Sequence, residues 1–544
     1  MREARLREKT KTVVLVCLVL TSLLQVGIHW SRQLQGNPFR FLSGLFQTDT
    51  GETIVDERLL KDEKIDYISP NRIVVSDERS GRWALALEGE TWRTAWQDLK
   101  TQYLPLLVTE KWDKQLLRTT WEQVIVGNRT VLFEFNRPIP ADLLPWLTGT
   151  NVMRLAIPIA ATFPDIEKIA VVPKGSVNDN LNTLYVLSSD GVYRFTLERP
   201  ERALQKNWYL MDLAALDQEG NQLLSLMGET YQLESALQDL LISNEDSGLL
   251  DMPVYEASLP GAIPSVFTTD NLQSLQESIL LNRKDSLLTR LDGETGVVTF
   301  SDWENTYRVD SSANLAYRYL LGAGTKGTSM QAAFIQAVAF LEKRRSKLGN
   351  TDLVLYDVSA QGSSVQTGLI EPQNLRPISG FSAVLPVPST VLAQTKISGE
   401  EISGNITTGS GRTSSAVSSK YALSFTFTFA YRIDGYTVLM QDEATGSTIP
   451  PISVTAIADR VVACNWSIRT FTPVARNSWS FFFPSFYTQA LERFPFLEEQ
   501  GKGLSGLRNG YLLPEMRTGI DLFPQWFLES DHLTYVLPMQ QGGE

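Results

Sequence analysis

Histidine and cysteine are scarce in this chain: His29, His532, Cys17 and Cys464 are all it has. A zinc site of the H-E-x-x-H kind needs paired histidines, and none are spaced for it. A Ser-His-Asp relay would have to recruit His532 from a polar C-terminal segment, and no G-x-S-x-G elbow occurs. No serine stands three residues before a lysine, so the S-x-x-K nucleophile is excluded. Ser403-Gly404-Asn405 imitates the second motif of that class but falls in a Ser/Gly-rich stretch. The pairs Glu400-Glu401 and Glu498-Glu499 are adjacent in sequence, so their side chains diverge. Gly322-Ala323-Gly324-Thr325-Lys326-Gly327 matches G-x-G-x-x-G ahead of a helical pattern. A dinucleotide fingerprint also needs alternating β and α elements around it, which are missing, so a glycine-rich turn into a helix is expected. The sequence therefore predicts no catalytic residue, no metal ligand, no cofactor and no enzymatic activity.

A different chemistry is written near the N-terminus. Cys17, Thr21 and Gln25 follow i, i+4, i+8 spacing, with Ser22 and His29 flanking the stripe. They lie in the apolar run TVVLVCLVLTSLLQVGIHW, residues 12–30, long enough to cross a bilayer core of roughly 30 Å. Small and polar side chains on one face let membrane helices approach and hydrogen-bond, so Cys17, Thr21, Ser22, Gln25 and His29 are the candidate partner-binding residues. Gln25 and His29 also fit a second account, in which they lie near the outer headgroups where polar groups are tolerated. Arg2, Arg5, Arg7, Lys9 and Lys11 precede the run against only Glu3 and Glu8. Basic flanks stay cytoplasmic, which places the remainder outside the membrane and predicts a single-pass cell-membrane protein. A cleaved signal would need small residues at the right spacing after the run, where Ser31-Arg32-Gln33-Leu34-Gln35 stands instead. A lipoprotein reading of Cys17 meets the bulky Val16. An uncleaved anchor fits best.

Composition bounds the rest. Hydrophobic residues make up 43% and aromatic residues 10%, values of a globular chain rather than a disordered one. The net charge is −12, and the region beyond the basic N-terminus is more acidic still, which disfavours nucleic acid as a partner. Cys464 is the one cysteine outside the apolar run, so no internal disulfide can stabilise that region. Asn-x-Ser/Thr triplets begin at Asn128, Asn405 and Asn465.

The elements that must position any site predict an α+β class: one transmembrane helix, then a multi-domain ectodomain with mainly antiparallel sheets. The expected divisions are a cytoplasmic tail (1–11), the helix (12–30), a stalk (31–65), an N-terminal α+β domain (66–198), a central, more helical domain (199–350) and a β-rich C-terminal domain (351–544). Strands are predicted at Ile68 to Ser76, Trp83 to Leu87, Thr130 to Asn136, Lys168 to Pro173, Leu315 to Leu321 and Leu353 to Val358. Thr183 to Leu197 reads as a hairpin turning at Asp190-Gly191, and Tyr421 to Met440 as one turning at Asp434-Gly435. Val297 to Val309 and Ile452 to Phe471 read as paired strands.

Helical spacing covers Thr91 to Leu107, with a kink or end at Pro105, and also Ala141 to Leu147, Glu229 to Ile242 and Asn271 to Leu281. Ser329 to Leu348 is the strongest such pattern. Ala332, Ile335, Val338, Ala339 and Leu341 share a face, and Lys343, Arg344, Arg345 and Lys347 are expected to form a solvated, dipole-complementing end. Residues 395–420 read as a flexible Ser/Gly/Thr-rich insertion.

Several of these segments resemble one known family. KTKTVVLVCLVLTSLLQ, SPNRIVVSD, VLFEFNRPIPADLLPWL, TFSDWENTYRVD, FTFAYRIDGYTV and the terminal LFPQWFLES are similar to the YycH family of extracytoplasmic regulators of the WalK (YycG) sensor histidine kinase in low-GC Gram-positive bacteria. The 395–420 insertion and the overall length depart from the shorter members. The resemblance implies a non-enzymatic, bitopic protein that acts with a YycI-like protein on a WalK-like sensor histidine kinase through transmembrane-helix contacts. The rival expectation is an anchored wall-binding module or wall hydrolase whose helix is only a tether.

Overall fold

The computed structural model describes residues 66–77, 81–109, 112–127, 129–148, 163–173, 181–198, 222–226, 241–243, 249–264, 266–268, 271–280, 288–301, 304–320, 329–349, 351–362, 423–442, 446–480, 483–498, 506–514, 519–530 and 533–541. They form a strand-rich α+β fold whose pairings are antiparallel except for Tyr436–Gln441 against Gly506–Leu513. No helix among them is long and apolar enough to cross a membrane, and the candidate span 12–30 lies outside them.

The first layer is a nine-stranded sheet, ordered Lys114–Leu116, Gly191–Glu198, Leu181–Ser188, Asp165–Pro173, Thr130–Pro140, Arg72–Asp77, Gly81–Ala84, Gln222–Leu226, Leu241–Ser243. Its central strands are covered on both faces: one buries Val74, Leu132 and Ala170 in a core with Trp121, Val124 and Ile125, and the other carries Ile73, Val75, Val131, Phe133, Ile169 and Val171. Helical residues from Glu90 to Thr109 cover that face with Trp92, Trp96 and Leu99, as their spacing predicts. The helix does not end at Pro105. A π-helical segment, Leu99–Tyr103, widens the turn just before the proline, and α-helix resumes over Leu104–Thr109. A wider turn accommodates the carbonyl that proline cannot bond.

The second layer is a thirteen-stranded sheet. It runs from Leu288–Asp292 through Val297–Ser301, Asn305–Asp310, Asn314–Tyr319, Arg460–Ser467, Ile452–Ile457, Leu423–Ile433, Tyr436–Gln441, Gly506–Leu513 and Pro524–Ser530 to Leu533–Pro538, with Asp352–Gly362 and Thr448–Ile449 branching from it. A four-stranded sheet pairs Leu249–Ser258 with Thr470–Ser480 and adds Ile520–Leu522 and Gln540–Gln541. The strand preceding the Gly322 motif lies antiparallel between Asn305–Asp310 and Arg460–Ser467, which is not the parallel arrangement of a dinucleotide fold. The motif itself lies outside the described residues.

Between the two large sheets runs the helix Met330–Leu348, capped by the Ser329 hydroxyl, which accepts from the Ala332 N–H at 3.2 Å. Phe334 meets Trp146 of the short helix Leu144–Leu147 at 5.4 Å between ring centroids and Phe427 of the second sheet at 5.3 Å. Two contact faces correct the single stripe expected. Ala333, Phe334, Ala337, Val338, Ala339 and Leu341 are buried, whereas Ala332 and Ile335 are only half-buried.

The basic helix end is corrected too. Lys343 and Lys347 are exposed, but Arg344 and Arg345 are buried. Arg344 lies 3.8 Å from the Phe340 ring centroid and donates to the Ile279 carbonyl (3.0 Å), the Phe340 carbonyl (2.9 Å) and the Tyr307 hydroxyl (3.4 Å). Carbonyls and aromatic faces replace water around a planar, weakly hydrated cation.

Other differences are local. The first strand begins at Arg72 rather than Ile68, and the second spans Gly81–Ala84 rather than Trp83 to Leu87. Leu241–Ser243 is a strand where the end of a helix was expected, because it pairs with Gln222–Leu226. The hairpin expected to turn at Asp190-Gly191 turns one residue earlier, since Ser188 pairs with Gly191. Neither Ser189 nor Asp190 has positive φ. The Asp165 carboxylate shapes that turn instead, accepting from the Ser188 hydroxyl and from both the N–H and the hydroxyl of Ser189. Asp434-Gly435 is the positive-φ turn expected, with φ of 47° and 85° between paired Ile433 and Tyr436. The 395–420 insertion lies outside the described residues, but its flanks are informative: Gly362 pairs directly with Leu423.

Two predictions follow from this architecture. A Cβ on Gly435 would stand 2.6 Å from the Leu87 Cβ, in a backbone conformation that disfavours side chains. Gly435→Ala is expected to cost about 1–3 kcal/mol in chemical denaturation. Replacing residues 363–422 with a two-residue Asn-Gly turn should leave the melting temperature within about 3 °C of the parent, because the strand ends already meet.

Candidate functional site

The predicted membrane-helix residues Cys17, Thr21, Ser22, Gln25 and His29 lie outside the described residues, as do both histidines. Cys464 is buried, and burial pushes its thiol up to about 12 while Arg344 pulls the other way. That is an inert packing cysteine. Among the described residues no group of three or more His, Cys, Asp or Glu side chains is arranged to hold a metal.

Two clusters of charged and polar side chains lie where the two large sheets and the long helix meet. One cluster surrounds residues 66–70, which lead into the first strand. Tyr67, Ile68 and Ser69 are buried there, ahead of the first described strand. The Asp66 carboxylate accepts from the Trp96 indole N–H at 2.8 Å and from Lys100. The Tyr67 hydroxyl donates to Glu342 on the long helix, its carbonyl accepts from the Leu355 N–H at 2.6 Å, and its ring stands edge-on to Phe429 at 5.8 Å. Ser69 accepts from Arg432.

Ion pairs tie these groups together. Arg345 reaches Glu342 at 3.1 Å and Asp352 at 2.9 Å. Arg432 reaches Glu88 at 3.3 Å and lies 5.0 Å from the Trp92 ring centroid. Burial pulls the Arg432 guanidinium down, opposed by Glu88, Asp352 and Asp66. Removing one partner from such a set leaves a buried charge uncompensated, which is far costlier than loss of a surface pair.

A second cluster bridges the same layers further along. Arg137, from Thr130–Pro140, donates to Thr534 at 2.9 Å. Arg508, from Gly506–Leu513, pairs with Glu529 at 2.7 Å and donates to Asn136 and to the Tyr356 hydroxyl (3.2 Å). The two guanidinium carbons lie 5.6 and 5.5 Å from the Tyr356 ring centroid. Burial alone would pull Arg137 down, but Tyr356, Glu529 and Asp357 outweigh it and hold it above its ordinary value.

Arg345 was expected only as part of a solvated helix end, and the other charged residues of the two clusters did not stand out in the sequence. Glu342 and Arg345 continue the helix face of Ile335 and Val338, so a charge at an expected apolar register was the available signal there, whereas Arg432 sits at the polar register of its strand and carried none. The clusters hold parts together; their carboxylates are engaged by cations, and they present no nucleophile–base pair.

Within the first sheet, Glu134 is flanked by Arg72 (2.6 Å) and Lys168 (3.3 Å). Burial would raise its carboxyl, yet the two cations lower it from 4.5 to about 2. The ionised form is the one that folding favours, so its stabilisation is complete above about pH 4.5 and fades as pH falls toward 2. Denaturant titrations should show on the order of 2–3 kcal/mol lost across that window, and Glu134→Gln should flatten that portion of the profile.

No protein-family model matches the chain. No curated protein matches it either. Among solved structures it is similar to YycH from Bacillus subtilis, with a TM-score of 0.50 and 10% identity, over 86% of this chain and 95% of that one. An uncharacterized protein from Eubacterium rectale aligns with a TM-score of 0.30 and 11% identity, over 55% of this chain and 86% of that one, too low to carry an argument. The chain has a YycH-like fold.

Proposed function

We propose that this YycH-like chain is a membrane-anchored, extracytoplasmic regulator of a WalK-like sensor histidine kinase, acting with a YycI-like partner and without catalysis of its own. The observation that carries the reading is the similarity in fold over 86% of this chain and 95% of the solved YycH chain, joined to an N-terminal apolar run with a basic flank. In this reading residues 12–30 span the membrane once, residues 1–11 are cytoplasmic, and the bulk of the chain lies outside. The face bearing Cys17, Thr21, Ser22, Gln25 and His29 packs against helices of the kinase or of the YycI-like partner.

A regulator shifts a kinase only by binding its signalling states with different affinity, so the face must fit one state better than another. A coupling of about 1–3 kcal/mol, roughly 5–150-fold, is the ordinary range for such control.

Exchanging residues 12–30 for an unrelated membrane helix tests this. Kinase-dependent transcription should shift to the level of cells lacking the chain, and Thr21→Leu with Gln25→Leu should reduce co-purification with the kinase. A chain that keeps its effect with the foreign helix is a tether, and the helix-contact reading is then wrong.

A further inference from the structure

We infer that residues 66–70 form a rigid joint through which the arrangement of the two large sheets and the long helix is transmitted to the N-terminal anchor. This deepens the regulator reading and rests on it. The geometry is unusual for a lead-in segment. Asp66, Tyr67 and Ser69 are each tied by side chain to a distant element, and Tyr67 also by its backbone.

Those ties do not all go to one body. Trp96 and Lys100 belong to the helical cover of the first sheet. Glu342 belongs to the long helix. Leu355, Phe429 and Arg432 belong to the second sheet. A relative shift of any two bodies therefore displaces different anchors on the same few residues.

The sequence position matters as much as the contacts. Pro70 and Asn71 separate these ties from Arg72–Asp77, which is paired on both edges within the first sheet. Immediately before Asp66 lies the 31–65 stretch that connects to the candidate membrane helix. A displacement passes along a chain only through links stiffer than the motion they carry. Here the buried Tyr67 ring and hydroxyl, the Asp66 carboxylate and a backbone hydrogen bond all restrain the residues that directly follow that stretch.

Glu342 makes the joint responsive as well as stiff. It serves Tyr67 and Arg345 together, and Arg345 also holds Asp352 on the second sheet. A partner that separates the second sheet from the long helix pulls on Arg345 and alters the carboxylate that holds Tyr67.

The experiment uses the full chain in its native membrane for transcription and in detergent for exchange. One variant carries Asp66→Asn with Tyr67→Phe, which keeps volume and the Phe429 contact but removes the hydroxyl donor and the Lys100 ion pair. A second inserts eight Gly/Ser residues between residues 65 and 66, leaving every tie intact. Hydrogen exchange of the Leu355 amide reports the joint, and kinase-dependent transcription is compared with parent cells and with cells lacking the chain.

The double substitution should speed Leu355 exchange about tenfold and move transcription at least halfway to the level without the chain. The insertion should leave exchange unchanged yet produce the same transcriptional loss. Parent-like transcription from the insertion, in cells where deleting the chain does change transcription, overturns the joint while the regulator reading stands. Unchanged Leu355 exchange in the double substitution also overturns it. If deleting the chain leaves transcription unaltered, the regulator reading fails and the joint falls with it.

Discussion

The helix Met330–Leu348 is the constraint on which the rest depends, because it must satisfy two neighbours at once. Phe334 contacts Trp146 on one side and Phe427 and Phe429 on the other. Burying one such ring completely is worth about 1.5–3 kcal/mol, and truncating it would open a cavity between the layers. The wide buried arc follows directly. A helix covered on two sides cannot keep a narrow apolar stripe, so alanines at 333, 337 and 339 let the flanking layers approach.

At its C-terminal end the same helix changes from apolar to charge-based attachment. Arg344 inserts among Phe340, Tyr307 and the Ile279 carbonyl, with no carboxylate partner among the described residues. Burial lowers its affinity for the proton, opposed by Tyr307, Cys464 and Tyr317. Arg345, one residue on, is held by Glu342 and Asp352. Adjacent residues point in different directions on a helix, so one arginine fastens toward the Leu272–Leu280 helix and the other toward Asp352 at the start of its strand. Arg137 and Arg508, both close to the Tyr356 ring, repeat the same physical solution at a second seam.

Such seams fix how the layers meet. Apolar packing between layers is non-directional and tolerates small slips, whereas a buried guanidinium with fixed acceptors specifies one register and penalises every other. The described residues therefore meet in a single defined arrangement around a short segment that leads to the N-terminal region.

The sequence alone determined whatever depends on neighbours close along the chain. The Asp434-Gly435 turn needs two residues that accept positive φ, Ser329 needs only the N–H three residues on, and the β-branched and aromatic side chains from Thr130 to Asn136 suit an extended backbone. The apolar run at 12–30 and its basic flank are legible for the same reason.

Tertiary structure decided the rest. Periodicity identifies a face to be covered but not what covers it, so the pairing of Leu249–Ser258 with Thr470–Ser480 could not be read. Nor could the burial of Arg344 and Arg345: a guanidinium is at home in water or among carbonyls and rings, and only the fold brought Ile279, Tyr307 and Tyr67 within reach of that helix end.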